Sequence, residues 1–240
     1  MFEAAGLTIH RWPANRFDGM RDTLTLLGRR GFAPKVVIDC GANVGQWSRL
    51  ALSVFPEAAF HLIEPQPACA APLRELVREA GRARVHTVAV TEPGVALVRM
   101  IGGGDTGGGT GAWVARPGEA AIGEVVCPAT MLDELLASEV ASVERSLLKL
   151  DLEGHEVPAL RGAARLLGVV EVVLTEFQFF EINGNGRPTF GGLLRALDAQ
   201  GFDLYDFACL SPRPRDQRLR MGDAVFVRRG SPLLADVGWE

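Results

Sequence analysis

The stretch VVIDCGANVGQW, residues 36–47, decides how this chain is read. It opens on a short apolar run with no polar alternation, the pattern of a strand buried on both faces. The run ends in Asp39 and Cys40, and Gly41 and Gly45 follow within five residues. Glycines directly after a buried strand let the backbone take left-handed dihedrals and pass close to a ligand. VGQWSRLALSVF (44–55) then has helical spacing, and a helix N-terminus offers unpaired amides to a carboxylate. Ligands of open α/β sheets bind at the carboxyl ends of strands, where the strand order reverses.

Outward from this turn the pattern repeats. AAFHLIEP (58–65) is a second strand ended by Pro65, PLRELVREAG (72–81) a helix with a glycine stop, and RVHTVAV (84–90) a third strand. SLLKLDLE (146–153) and VVEVVLTEF (169–177) are a fourth and fifth strand, with a helix over 156–167 between them. A helix over 191–201 precedes a sixth and a seventh strand, FDLYDFA (202–208) and DAVFVRR (223–229). VALVRMI (95–101) and EVVCPAT (124–130) read as two strands flanking GGGDTGGGTGAW, and 131–144 as a helix. Alternation of this kind predicts an α/β fold with right-handed crossovers and a parallel sheet covered on both faces, and seven strands are read in all. Upstream, FDGMRDTLTLLGRR (17–30) places Met20, Leu24 and Leu27 at helical spacing. The expected organisation is an N-terminal helical segment over 1–34 and one domain over 35–240. The N-terminal helix is a lid, a dimer contact or a cover for the sheet edge.

Composition narrows the chemistry. The chain has 240 residues, 48% hydrophobic and 22% charged, a globular balance. The net charge of -4 gives little support to a nucleic-acid footprint. Lys35 and Lys149 are the only lysines, and neither follows a glycine, which excludes a P-loop. The cysteines at 40, 69, 127 and 209 show no CxxC spacing, so no zinc or redox motif is expected and no metal site is assigned. No secretory signal and no apolar run of about 18 residues is visible, and a cytoplasmic protein with free thiols is expected. Glycine is abundant at 28 residues, seven of them between Gly102 and Gly111. That cluster carries no binding code and reads as a mobile loop, at most a flap over an acceptor site.

The ligand is narrowed by spacing. Glu64 ends the second strand, where an acid can accept both hydroxyls of a ribose. Asp39 would lie near an ammonium group, so a purine nucleoside carrying an amino acid fits the crevice. The competing ligand is a nicotinamide cofactor, whose turn is GxGxxG. Here the turn is D-x-G-x-x-x-G, with Ala42 and Asn43 where that pattern would continue. The plain alternative is a glycine-rich turn that holds no ligand.

VIDCGANVGQWS followed by LIEPQP resembles the class I S-adenosylmethionine-dependent methyltransferases. LLKLDLEGHE (147–156) resembles the hydrophobic-Lys-hydrophobic-Asp-hydrophobic-Glu-Gly-x-Glu signature of the FkbM family, and ATMLDEL (129–135) is similar to its Thr-x-Leu-Asp element. The resemblance implies a Rossmann-like, doubly wound, seven-stranded and mostly parallel sheet with an antiparallel last strand, and methyl transfer, often to sugar hydroxyls of natural products or glycans. Carried over by position, it implies that Asp39, Gly41, Asn43 and Gly45 line the methionine part of S-adenosylmethionine. Glu64 would hold the ribose, Pro65 and Gln66 would sit toward the adenine, and Val88 to Val90 would lie near the adenine edge. The glycine-rich GGGDTGGGTGAW departs from the family pattern.

Asp151, at the end of the fourth strand, is the first candidate for the base or acceptor anchor, and it would border the cofactor too; the plain alternative is a helix-capping acid. His155 is a candidate base near neutral pH, or an ordinary loop histidine. Glu176, ending the fifth strand, would anchor an acceptor hydroxyl or amine. Lys149 would form a salt bridge to Asp151 or Glu176, since a buried lysine is usually paired. Glu153 reads as structural, and Glu156 as a first-turn acid favoured by the helix dipole. Magnesium on Asp151 and Glu153 has no independent support. The aromatics of FQFFEINGNGRPTF, with Asn183, Gly184, Asn185 and Gly186, stack on an acceptor or belong to the core. Arg213, Arg215, Arg218 and Arg220 form a solvated hairpin loop or an anion-binding rim.

The expected activity is O-methylation by S-adenosylmethionine of a hydroxyl on a sugar or natural product, with a small-molecule or glycan acceptor. No nucleic-acid or membrane partner is expected, and the oligomeric state is not readable. N-methylation of a small molecule or peptide stays open. A nicotinamide oxidoreductase and a non-catalytic binding module are the alternatives of other classes.

Overall fold

A computed structural model describes residues 15–102, 111–115, 118–119, 124–139, 145–181 and 188–238. The first helix, α1 (Arg16–Arg29), is capped by Asn15, whose side chain accepts from Phe17 N. Then come β1 (Val36–Cys40), α2 (Gln46–Val54), β2 (Ala59–Ile63), α3 (Ala70–Ala80), β3 (Ala83–His86) and β4 (Ala89–Val90). The middle holds β5 (Leu97–Ile101), β6 (Trp113–Val114), β7 (Val125–Thr130) and the single turn α4 (Leu132–Leu135). The rest is β8 (Ser146–Leu150), α5 (Glu156–Arg161), α6 (Ala164–Leu167), β9 (Val172–Gln178), α7 (Phe190–Asp198), β10 (Phe202–Pro212) and β11 (Leu219–Arg228).

Seven strands form one sheet in the order β10-β11-β9-β8-β1-β2-β3. β1 pairs in parallel with β2 and with β8, so the strand order reverses beside β1. β11 runs antiparallel to both β9 and β10. Successive residues of one strand enter different cores: Val37, Leu147 and Val172 lie in the cluster under α1–α3, while Ile38, Leu148 and Val173 lie in the cluster under α5–α7. Both faces are covered, which is why these strands are apolar without alternation. The carboxyl ends of β1, β2, β8 and β9 therefore share one edge.

A second sheet, β4-β7-β5-β6, holds the two middle strands. Several expected boundaries change here. The expected third strand over 84–90 divides: β3 stays in the main sheet, and β4 crosses to pair with β7. The expected helix over 131–144 is helical only at Leu132–Leu135 among the described residues. The expected helix over 156–167 breaks at Gly162. A Cβ there would lie 2.0 Å from the carbonyl oxygen of Thr91, so the chain after β4 presses against that backbone and interrupts the helix. β10 and β11 run longer than expected and reduce the arginine-rich loop to a tight connection after Pro212. Among the described residues no helix is long and apolar enough to cross a membrane.

Candidate functional site

The floor of the site is the turn after β1. Gly41 N and Ala42 N both donate to Ile63 O, at 2.9 and 3.1 Å, and Asp151 N donates to Cys40 O at 3.1 Å. Three strand ends are thereby drawn together. Gly41 has φ +80°, and a Cβ on it would lie 2.0 Å from Asp151 O, so no other residue lets these backbones approach. Asn43, at φ 48°, takes the left-handed conformation that asparagine tolerates, and its Oδ1 accepts from Val44 N at 2.8 Å. Glu64 bridges this turn to the end of β2: its carboxylate accepts from Asn43 N at 2.9 Å and from Gln66 N at 3.0 Å. Burial pushes the Glu64 carboxyl upward, against the pull of those two donors.

These residues border a cavity of about 200 Å³. Gly41, Asn43, Glu64, Pro65, Gln66 and Val90 line it, and so do Asp151 and His155. Asp39, Gly45 and Glu176 are not among its lining residues. Asp39 is fully buried behind the turn, 2.9 Å from Lys149 Nζ, with Ser48 Oγ donating to it at 2.5 Å. Gly45 caps α2 and faces Leu73 and Leu76 of α3. Met100, Gly111, Ala112 and Val114 also line the cavity, so the second sheet closes one side of it. Residues 103–110 of the glycine-rich stretch, and Asn183 to Gly186, lie outside the described residues.

The opposite wall is charged. Lys149 Nζ donates to Gly41 O at 2.9 Å, pairs with Asp39, and stands 3.7 Å from Asp151 Oδ2. Burial opposes its charge, but Asp39 and Asp151 outweigh burial and raise its pKa. Asp151 shows the converse balance: burial pushes its carboxyl up, and Lys149 and Arg16 more than reverse this, so it is held below the usual carboxylate range. Arg16 Nη2 lies 3.2 Å from Asp151, 2.8 Å from Glu176 and 2.5 Å from Asp223. Burial and the neighbouring Asp151 charge push Glu176 well above its ordinary value. The two neighbouring carboxyls are thus pushed in opposite directions, Asp151 down on the cavity wall and Glu176 up behind it.

Periodicity did not flag Arg16, which precedes the helical pattern by one residue. Asp223 had a usable signal: in a last strand antiparallel to the fifth, it falls opposite Glu176, and the two are register partners.

The loop after β8 is shaped by Glu156. Its Oε1 accepts from Leu152 N at 2.9 Å and from Gly154 N at 3.1 Å. His155 Nε2 lies 2.9 Å from Thr91 Oγ1, tying the loop to the end of β4. The acid of the ATMLDEL stretch has a similar part: the buried Asp133 accepts from Arg165 N and Leu166 N, at 2.9 and 2.8 Å, and so caps α6. Burial pushes the Glu156 carboxyl up to about 7. A carboxyl with a raised folded pKa adds stability below its unfolded pKa, and that contribution is lost as pH rises through about 7. Glu156→Gln keeps the acceptor oxygen without the charge and is expected to fold normally and to lose this pH slope. Glu156→Ala leaves two amides unpaired and is expected to cost about 1–3 kcal/mol. Urea denaturation from pH 5 to 8 measures both; equal losses in the two variants would exclude the acceptor role.

The aromatics after β9 and the arginines of the β10–β11 connection do not line the cavity. Phe177, Phe179, Phe190 and Phe207 pack on one another, with ring centroids 4.6–6.0 Å apart. In the β10–β11 connection Arg213 pairs with Asp216, and Arg218 lies over the Phe180 ring at 4.2 Å.

A family model for the methyltransferase FkbM domain matches residues 39–204. The chain belongs to this family. The FkbM methyltransferases are S-adenosylmethionine-dependent enzymes, and the sheet order found here is that of the class I fold. No curated protein matches the sequence. Among solved structures, a candidate rRNA methylase from Clostridium thermocellum is similar, with 9% identity, TM-score 0.51, and coverage of 92% of this chain and 97% of that one. A candidate RNA methyltransferase from Pyrococcus horikoshii has 15% identity and TM-score 0.49, with 91% and 86% covered. Magnesium protoporphyrin IX methyltransferase from Synechocystis, solved with bound S-adenosylhomocysteine, has 11% identity and TM-score 0.48, with 93% and 90% covered. At such identities the first of these shows the fold alone.

Proposed function

We propose that this FkbM methyltransferase carries a methyl group from S-adenosylmethionine to a hydroxyl of a small sugar-like, glycan or natural-product acceptor. The observation that carries the reading is Asp151. Its carboxyl lies on the cavity wall, held below the usual carboxylate range by Lys149 and Arg16, and its backbone packs against Gly41 in the turn that would hold the cofactor. S-adenosylmethionine supplies an electrophilic methyl on its sulfonium. Gly41 and Asn43 would border its methionine part, and the Glu64 carboxylate retains lone pairs for the ribose hydroxyls. Pro65, Gln66 and Val90 would flank the adenine. Asp39 would act at one remove, through Lys149 and Gly41 O, and Gly45 by seating α2 on α3.

Asp151 would accept the proton of the acceptor hydroxyl. As the new bond forms, the acceptor oxygen becomes more acidic, so even a carboxylate of low basicity can take its proton. Much of the remaining help is alignment for an in-line displacement and exclusion of water. His155, tied to Thr91, would border the acceptor. The net charge of -4 supports a small acceptor over a nucleic acid. The four cysteines are free and buried, which agrees with a cytoplasmic setting. Residues 35–240 would form the methyltransferase domain, with 1–34 its N-terminal segment.

Calorimetry with S-adenosylhomocysteine tests the cofactor site. Binding by the wild type, weakened about tenfold or more in Glu64→Ala, is expected; no heat with the wild type would overturn the reading. A screen of glycosides against amines with methyl-labelled cofactor tests the acceptor, and transfer confined to amines would replace the hydroxyl.

A further inference from the structure

The group that holds the acid wall together comes from outside the strands and turns that carry the rest of the site. Arg16 is the first residue of α1. Its Nε and Nη2 grip the two carboxylate oxygens of Asp223 at 2.6 and 2.5 Å, in a bidentate pair. The same Nη2 reaches Glu176 at 2.8 Å and Asp151 at 3.2 Å. One guanidinium therefore meets carboxylates from β9, from β11 and from the loop after β8. Glu176 and Asp223 are 4% and 2% exposed, whereas the Asp151 side chain keeps 22%. Of the three, only Asp151 lines the cavity.

The other groups around the cluster do not replace Arg16. Lys149 is closer to Asp39 than to Asp151, at 2.9 against 3.7 Å. Glu153 on the following loop and Glu156 at the start of α5 add negative potential at Glu176, and Cys209 of β10 feels both Asp223 and Arg16. Without the guanidinium, three neighbouring carboxyls would face one another with no cation among them, and each would hold its proton more firmly. They would share protons, and Asp151 would lose both its direction and part of its charge.

We propose that Arg16 is a positioning residue for methyl transfer: by binding Asp151, Glu176 and Asp223 together it aims Asp151 at the acceptor and holds it there as a carboxylate. This rests on the methyltransferase reading with Asp151 beside the acceptor. It makes α1 part of the active site and not merely a cover for the sheet edge.

The test is a carboxyl titration that needs no acceptor. Full-length protein labelled with 13C at the Asp and Glu carboxyls is titrated by NMR, with Asp151→Asn identifying the Asp151 signal. The wild-type Asp151 signal is expected to stay ionised below the ordinary carboxylate range. In Arg16→Gln its midpoint is expected to rise by more than about one pH unit, a tenfold change in proton affinity. Arg16→Lys keeps a charge but loses the fork, and a smaller rise in the same direction is expected. A midpoint unmoved in Arg16→Gln would overturn the proposal, because a purely structural Arg16 predicts that result. If Arg16→Gln does not fold, Arg16→Lys decides by the same criterion. Calorimetry of the wild type with S-adenosylhomocysteine reports separately on the methyltransferase reading.

Discussion

Lys149→Met is expected to lower stability by about 3–5 kcal/mol, the usual cost of stranding one member of a buried ion pair. Lys149 is 4% exposed at its side chain and Asp39 is 0%. The ammonium is 2.9 Å from Asp39, donates to Gly41 O at 2.9 Å, and lies 5.7 Å from the centre of the Trp47 ring. Methionine fills much of the same volume, so the loss is electrostatic rather than a cavity effect. It leaves the Asp39 carboxylate inside the protein with Ser48 Oγ as its remaining donor. For a domain of this size the loss corresponds to a melting temperature lower by about 6–20 °C. The double variant Asp39→Asn/Lys149→Met removes both charges and is expected to recover much of the loss, since an uncharged pair carries no stranded ion. Thermal and urea denaturation of the three proteins measure this. A loss under about 1 kcal/mol in Lys149→Met would show that the pair is not a buried ion pair. Because the same lysine holds the carbonyl of Gly41, S-adenosylhomocysteine binding is expected to fall with stability in the single variant and to return only partly in the double.

The pair also shows what could be read from the chain alone and what could not. The strand over Val36–Cys40 and the turn after it were legible because both signals are local: an unbroken apolar run, then glycines at the positions where backbones must approach. Glu64 was legible for the same reason, as an acid closing the next strand. The partner of Asp39 is separated from it by more than a hundred residues, and only the parallel register of β1 with β8, in which Asp39 is opposite Lys149, brings them together. An acid at a strand end reads as a ligand contact until that register is known. Helix boundaries failed where tertiary backbone contacts override local pattern, as at Gly162 against Thr91. The acid cluster was half legible. Asp151 and Glu176 end apolar strands and stand out, but the cation that binds them precedes the periodic part of α1. A single arginine in a chain with 23 of them carries no signal.

Asp151→Asn is expected to reduce turnover by about 10²–10⁴-fold, the range for removing a positioned proton acceptor, while changing S-adenosylhomocysteine affinity far less. Asparagine is nearly isosteric and keeps one acceptor oxygen, so the cavity wall stays in place. In the proposed reaction, what would disappear is the negative charge facing the acceptor oxygen, which gains positive character as the methyl arrives. The substitution also alters the cluster behind it. With Asp151 neutral, Glu176 loses the nearest charge that raises its pKa, and Arg16 is left to Glu176 and Asp223. Glu176 is then expected to ionise more readily, but it is 4% exposed and does not line the cavity, so it cannot substitute at the acceptor. Glu176→Gln separates the two positions. It preserves a hydrogen-bonding side chain of nearly the same shape at a position that does not line the cavity, and it is expected to reduce turnover by less than about tenfold. Steady-state methyl transfer to an acceptor found by the glycoside screen, with calorimetry of S-adenosylhomocysteine on the same variants, measures both. If Asp151→Asn keeps its turnover while Glu176→Gln loses it, the proton acceptor is Glu176 and the direction assigned to the cluster is reversed.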